Sequence, residues 1–135
     1  MNDNVFLDTN ILVYSYSNNE LDKRTIARTL ILENNSFVST QVLQELSNTI
    51  TKKLGYSFSD AINVVVEMTD NNNLHTNTQI TIIKACEIAE RYQYSFYDSM
   101  IIAAALESNC EILYSEDMQH NQIIENTLKI INPFL

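Results

Sequence analysis

Val5-Phe6-Leu7-Asp8-Thr9-Asn10-Ile11-Leu12 is the stretch whose reading decides the fold. A short, unbroken apolar run such as Val5 to Leu7 reads as a strand buried on both faces. Asp8 closes it, and Ile11 to Tyr16 then reads as a short helical segment. The same alternation recurs downstream. Leu21 to Glu33 is a helix with Ile26, Ala27, Leu30 and Ile31 on one side. Ser36 to Ser39 is a second strand, followed by a helix from Gln41 to Leu54 that stops at Gly55. Three further helix starts show a hydroxyl residue three positions before an acid or amide. These are Ser57 with Asp60, Thr76 with Gln79 and Ser95 with Asp98. They predict helices over about residues 59–69, 77–91 and 96–107. The Asn71–Asn73 run reads as a turn with a short strand after it, and strands are expected at Glu111 to Tyr114 and Leu128 to Ile131. Strands alternating with helices imply an α/β fold with a central parallel β-sheet flanked by helices on both faces.

The bulk properties agree. The 135 residues, 45% hydrophobic and 19% charged, suit one domain over residues 1–135 with a real core. One Gly and one Pro leave no room for a flexible linker. The longest apolar run, Met100 to Leu106, is too short to span a bilayer. No basic start precedes an apolar stretch, so no secretory signal is expected. Cys86 and Cys110 are too few for a disulfide framework or a zinc site, and read as reduced, buried thiols of a cytoplasmic protein.

In open parallel sheets, ligands gather beyond the carboxyl ends of the strands. Acids stand at those positions. Asp8 ends the first strand, and Glu45 lies in the second turn of the helix after the second strand. Asp98 is in the first turn of its own helix, and Asp117 follows the fourth strand after Ser115 and Glu116. Each has an ordinary explanation taken singly. Asp8 can cap a helix, Asp98 can be half of a capping box, Glu45 can be solvated, and Asp117 can form a turn. Together they fall on one edge of the sheet. Carboxylates crowded there repel one another unless a cation neutralises them. Oxygen-only ligands suit Mg²⁺ or Mn²⁺ rather than zinc, and the chemistry that follows is metal-assisted phosphodiester hydrolysis.

The segments around these acids carry a resemblance. Phe6-Leu7-Asp8-Thr9-Asn10-Ile11-Leu12 resembles the opening of PIN-domain nucleases. Tyr94-Ser95-Phe96-Tyr97-Asp98-Ser99-Met100-Ile101-Ile102-Ala103-Ala104-Ala105 is similar to the third-acid helix of VapC-type toxins. Tyr114-Ser115-Glu116-Asp117-Met118-Gln119-His120 resembles their fourth-acid loop, and Asn132-Pro133-Phe134 their ending. The resemblance spans nearly the whole chain. It implies a PIN-like fold and a Mg²⁺- or Mn²⁺-dependent endoribonuclease, the toxin of a toxin–antitoxin pair. By position it implies Asp8, Glu45, Asp98 and Asp117 as the catalytic and metal-holding acids. Thr9 and Ser115 match hydroxyl residues that orient the acids or the attacking water, Asn10 supports the first turn, and Glu116 adds to the metal site or faces solvent. The implied partners are an RNA substrate, an antitoxin protein and a second copy in a homodimer. One departure is Asn121, where the family often has Gly after the histidine. Asn tolerates a left-handed backbone, so the loop is expected to survive.

The formal net charge of −9 pulls the other way, because proteins that hold RNA through phosphates usually present a basic face. Lys52 and Lys53, two turns after Glu45, and the pair Lys84 and Arg91 are the local cations that could meet a phosphate. Binding by metal and few cations would be weak and less salt-dependent than that of a basic protein. His120 stands in a polar loop, and His75 has no acidic or cysteine company at ligand spacing, so neither is expected to be catalytic. The Ala103 to Ala105 run reads as close helix–sheet packing. An aspartyl-nucleophile phosphatase would need an acid at Asn10, and a receiver domain would need a strand-ending Asp where Ser39-Thr40 stand. The remaining rival is a PIN fold kept as a catalytically silent RNA- or protein-binding scaffold.

Overall fold

The computed structural model describes residues 3–135. The chain begins with β1 (Asn4–Leu7), α1 (Thr9–Ser15) and α2 (Leu21–Glu33), then β2 (Asn35–Ser39), α3 (Thr40–Lys53) and α4 (Phe58–Asn71). It continues through β3 (Asn73–His75), α5 (Gln79–Tyr92), α6 (Phe96–Glu107), β4 (Ile112–Tyr114), β5 (Ile123–Ile124) and β6 (Leu128–Ile131). The strands form one sheet in the order β3-β2-β1-β4-β6-β5. β1 pairs in parallel with β2 through Phe6 and Phe37, and with β4 through Phe6 and Leu113. Val5, Phe6 and Leu7 are fully buried, as a central strand covered on both faces requires.

The strand order fixes where the helices lie. The first two connections step from β1 to β2 and from β2 to β3, whereas the third returns across the sheet to β4. Right-handed crossovers that step in opposite directions put their helices on opposite faces. Helices α1 to α4 therefore cover one face, and α5 with α6 cover the other. Helix α6 is enclosed between the sheet and α5. Ser99 through Ala105 are all buried, and Ala85 packs with Met100 and Ala103 in the α5–α6 seam. The alanine run thus serves close packing, as expected. Chain direction across the sheet reverses between β1 and β4, so the crevice of this fold opens at their carboxyl ends.

Several expectations are corrected. The sheet is parallel except at one edge, where β5 runs antiparallel to β6. That hairpin turns through Glu125 and Asn126, both at positive φ (50° and 63°), closed by Thr127 N donating to Ile124 O at 3.1 Å. Two positive φ values match the right-handed twist of a hairpin, but Glu is a poor marker for such a turn. Helix α5 starts at Gln79 instead of 77, and Thr81 Oγ1 accepts from Thr78 N at 3.0 Å at its start. Thr76 is not the cap because Asn77 N donates to Thr40 Oγ1 at 3.2 Å, which holds this segment against the start of α3. Cys86 is exposed, and only Cys110 is buried. Lys84 is paired with Glu125 at 2.6 Å and does not line the cleft that the four acids share. His75 does have an acidic neighbour, Glu107, at 3.1 Å, a contact that sequence separation concealed. Asn121 takes the left-handed backbone at φ 70°, as expected. Among the described residues no helix is long and apolar enough to cross a membrane.

Candidate active site

Asp8 N donates to Tyr114 O at 3.0 Å, one step beyond the β1–β4 ladder. This pairing sets the end of β1 beside the start of the loop after β4. Ser115 is fully buried there, and its Oγ donates to Asp8 Oδ2 at 2.8 Å. The same hydroxyl accepts from Asp117 N at 3.2 Å and Met118 N at 3.3 Å. One serine thus orients the first acid and shapes the loop that carries the last.

Asp8 is the N-cap of α1, and its Oδ1 accepts from Thr9 N at 2.7 Å. The two residues after it reach outward. Thr9 Oγ1 donates to Glu45 Oε1 at 2.6 Å, and Asn10 Nδ2 donates to Asp117 Oδ2. Three consecutive residues therefore supply one acid and hold two others, from α3 and from the β4 loop. Asp98 enters from the first turn of α6, where Ser95 Oγ accepts from Asp98 N at 3.2 Å. Ser57 and Asp60 form both bonds of a capping box at the start of α4, whereas at Ser95 the return bond is absent. The Asp98 carboxylate is left to face the cleft.

That cleft, of about 290 Å³, is lined by Asp8, Thr9, Asn10, Glu45, Asp98 and Asp117, with Asn48, Thr49 and Ile101. No lysine or arginine is among them. Asp8 is only 6% exposed, and burial pushes its carboxyl up to about 6, against the lowering effect of the Ser115 hydroxyl and the Thr9 amide. Repulsion from Asp98 and Glu45 adds to the rise. Burial also raises Asp98 above the usual carboxylate range, the Ser95 hydroxyl opposes this, and Asp117 adds to it. The site stores uncompensated negative charge, the electrostatic condition for holding a cation.

Glu116 points elsewhere. It does not line the cleft; its carboxylate accepts from Tyr14 Oη and Lys23 Nζ, each at 2.6 Å. Despite partial burial, these bonds hold it below its ordinary value. Lys23 also lies over the rings of Tyr14 and Phe134, 4.6 and 5.2 Å from their centroids. This cluster ties α1, α2, the β4 loop and the C-terminal segment together. His120 Nδ1 accepts from Asn132 N at 3.0 Å, so that nitrogen serves the loop. Lys52 and Lys53 are exposed at the end of α3 and do not line the cleft. Sequence reasoning missed Asn48 and Thr49, although they lie three and four residues after Glu45, the helical spacing that puts them on its face.

A protein-family model for the PIN domain matches residues 5–125. The chain belongs to the PIN domain family. No curated protein matches the sequence. Among solved structures, the Mycobacterium tuberculosis toxin VapC20, described as cleaving the sarcin–ricin loop, superposes with a TM-score of 0.69. It is 18% identical over 84% of this chain and 89% of the other. VapBC2 from Rickettsia felis, solved with a DNA fragment from its promoter, gives a TM-score of 0.63 at 19% identity. That match covers 94% of this chain and 98% of the other. At this identity the superpositions establish a shared fold, and the PIN architecture expected from the sequence is the one observed.

Proposed function

We propose that this PIN domain is a metal-dependent endoribonuclease, the toxin of a type II toxin–antitoxin pair. The observation that carries the reading is the acid cleft itself. Carboxylates from β1, α3, α6 and the β4 loop meet in one site without a cation, and the β1–α1 turn clamps two of them. VapC20 is described as a toxin that cleaves the sarcin–ricin loop, and VapBC2 as bound to a DNA fragment from its promoter; the likeness to both supports RNA as substrate and an antitoxin protein as partner. A homodimer and a cytoplasmic location accord with this reading. The enzyme is favoured over a silent scaffold because all four acids are present and line one cleft.

The donor set fits a hard divalent cation, Mg²⁺ or Mn²⁺, in being entirely oxygen and partly desolvated. Among the described residues no three His, Cys, Asp or Glu side chains already stand at ligand spacing, so gathering them around one ion requires side-chain rotation. Asp8, Asp98 and Asp117 would hold the ion, and Glu45 would hold a second one or orient the attacking water. When bound, such an ion lowers the pKa of water and stabilises charge on the phosphoryl oxygens. The chain's own residues do the positioning. Ser115 and the Thr9 amide fix Asp8, Thr9 Oγ1 fixes Glu45, and Asn10 fixes Asp117. Water attacks phosphorus in line, the P–O3′ bond breaks, and the departing oxygen takes a proton. The products are a 5′-phosphate and a 3′-hydroxyl.

The test is incubation of purified protein with RNA and Mn²⁺, with and without EDTA. Cleavage should vanish on chelation, and in the Asp8→Ala and Asp98→Ala variants, both of which should fold. Either variant cutting at the wild-type rate would remove these acids from the mechanism. Expression should arrest growth, and co-expression of the antitoxin should relieve it.

A further inference from the structure

Three of the four acids are anchored by side chains of neighbouring segments. Ser115 holds Asp8, Thr9 holds Glu45 and Asn10 holds Asp117. Among the described residues Asp98 has no such anchor; outside the backbone ladder of α6, its one hydrogen-bonding neighbour is Ser95, just before its own first turn. Its helix, α6, also lies on the opposite face of the sheet from α3, which carries Glu45. Both helices pack against β2, which spaces them apart, so a direct tie between them can form only at the edge of the sheet, beside the cleft.

One side chain spans that gap. Gln41 Nε2 donates to Tyr97 O at 3.1 Å, and Tyr97 directly precedes Asp98. Gln41 itself stands four residues before Glu45, on the same face of α3. Among the described residues this is the one hydrogen bond joining α3 to α6. The amide is costly where it sits. Gln41 is 6% exposed, and its Oε1 is buried with no hydrogen-bond partner. A half-satisfied buried amide destabilises a fold, whereas an apolar side chain of the same shape would leave no orphan. Stability alone gives no reason for glutamine here.

We propose that Gln41 is a positioning residue that ties α3 to α6 over the carboxyl edge of the sheet. Through that tie it fixes the separation of Glu45 and Asp98, and with it the affinity of the cleft for a divalent cation. The proposal rests on the metal-dependent reading above. Residues that orient ligands from outside a metal site are worth roughly 10- to 100-fold in affinity. One bond to a backbone carbonyl belongs at the lower end of that range.

The experiment uses Gln41→Met, which keeps length and volume, and Gln41→Leu as a second apolar replacement. Binding of Mn²⁺ to the protein without RNA is read by the electron paramagnetic resonance of the free ion, alongside melting temperature in EDTA. Binding should weaken about tenfold in both variants, while the melting temperature in EDTA stays level or rises. Cleavage should need correspondingly more Mn²⁺, with KM for RNA unchanged and kcat recovered at saturating Mn²⁺. Wild-type Mn²⁺ affinity in both variants would overturn the proposal, and so would a loss of affinity that follows a fall in melting temperature. A wild-type protein that binds no Mn²⁺ would instead sink the functional reading, and this proposal with it.

Discussion

Removing the negative charge of Asp8 should make the metal-free protein more stable at neutral pH. The folded carboxyl sits at about 6 against an ordinary 3.8, a rise worth about 3 kcal/mol at roughly 1.4 kcal/mol for each pH unit. Because the folded value is the higher one, the native state binds this proton more tightly than the unfolded chain does. Its contribution is complete below about pH 3.8 and is lost as pH rises through about 6. At pH 7.5 the ionised carboxylate therefore works against folding. Asp8→Asn abolishes the charge but sacrifices an acceptor. Its amide cannot accept from both Thr9 N and Ser115 Oγ, a loss of about 1 kcal/mol. The net gain at pH 7.5 is about 2 kcal/mol, or roughly 8 °C in melting temperature for a chain of this size. At pH 4, where folded wild-type Asp8 is largely protonated, the advantage should be gone and the variant slightly the less stable, by about 0.5 kcal/mol. Thermal melts of both proteins in EDTA, at intervals from pH 4 to 8, read the difference directly, since titrations of groups that do not interact with Asp8 cancel, and the relief of its repulsion with Asp98 and Glu45 acts in the same direction at neutral pH. Mn²⁺ should then raise the melting temperature of the wild type and do little for the variant. A variant less stable by the same amount at every pH would show that the Asp8 charge is not strained, and the electrostatic argument for a cation would lose its basis.

Glu116→Gln should cut RNA at close to the wild-type rate, whereas Asp117→Asn should lose most activity, because Glu116 is bonded to Tyr14 and Lys23 and lies outside the cleft. An RNA cleavage assay at saturating Mn²⁺ separates these roles, and equal losses would return Glu116 to the metal site. Ser115→Ala removes a fully buried hydroxyl with one donated and two accepted bonds. Urea denaturation should show a loss of about 1–3 kcal/mol, and a loss near zero would mean that the β4 loop does not depend on it. Gly55→Ala should cost about 1–2 kcal/mol in the same assay, since φ is +74° although nothing stands within 4 Å of the added Cβ. A neutral outcome there would mean that the turn after α3 relaxes without cost.

How much of this was legible in the sequence depended on whether a signal was local. An unbroken apolar run marked β1, the strand expected at Ser36 to Ser39 lies within a residue of β2, and the Ser57–Asp60 box marked the start of α4 within a residue. Helices α2 and α6 begin and end where periodicity and capping put them. The start of α5 was misplaced because Thr76 and Thr78 are both competent caps, and only the tertiary bond from Asn77 N to Thr40 Oγ1 selects between them. Strand β5 was invisible, being two residues long and turned by a glutamate in a left-handed conformation. At the site, the four acids were found by their places after strands and at helix starts. Their holders were less visible. The bonds of Thr9 and Asn10 span 36 and 107 residues, so no local pattern encodes them. Glu116 and Asp117 are adjacent in sequence, and only the fold reveals that one faces Lys23 and the other the cleft.

The central claim is that the acids of this cleft close around a divalent cation, and a crystal soaked in Mn²⁺ tests it most directly. Anomalous scattering should show a peak between Asp8, Asp98 and Asp117, with oxygen ligands at about 2.0–2.2 Å. A fully occupied Mn²⁺ site elsewhere on the molecule, with the cleft empty and its carboxylates unmoved, would contradict the account.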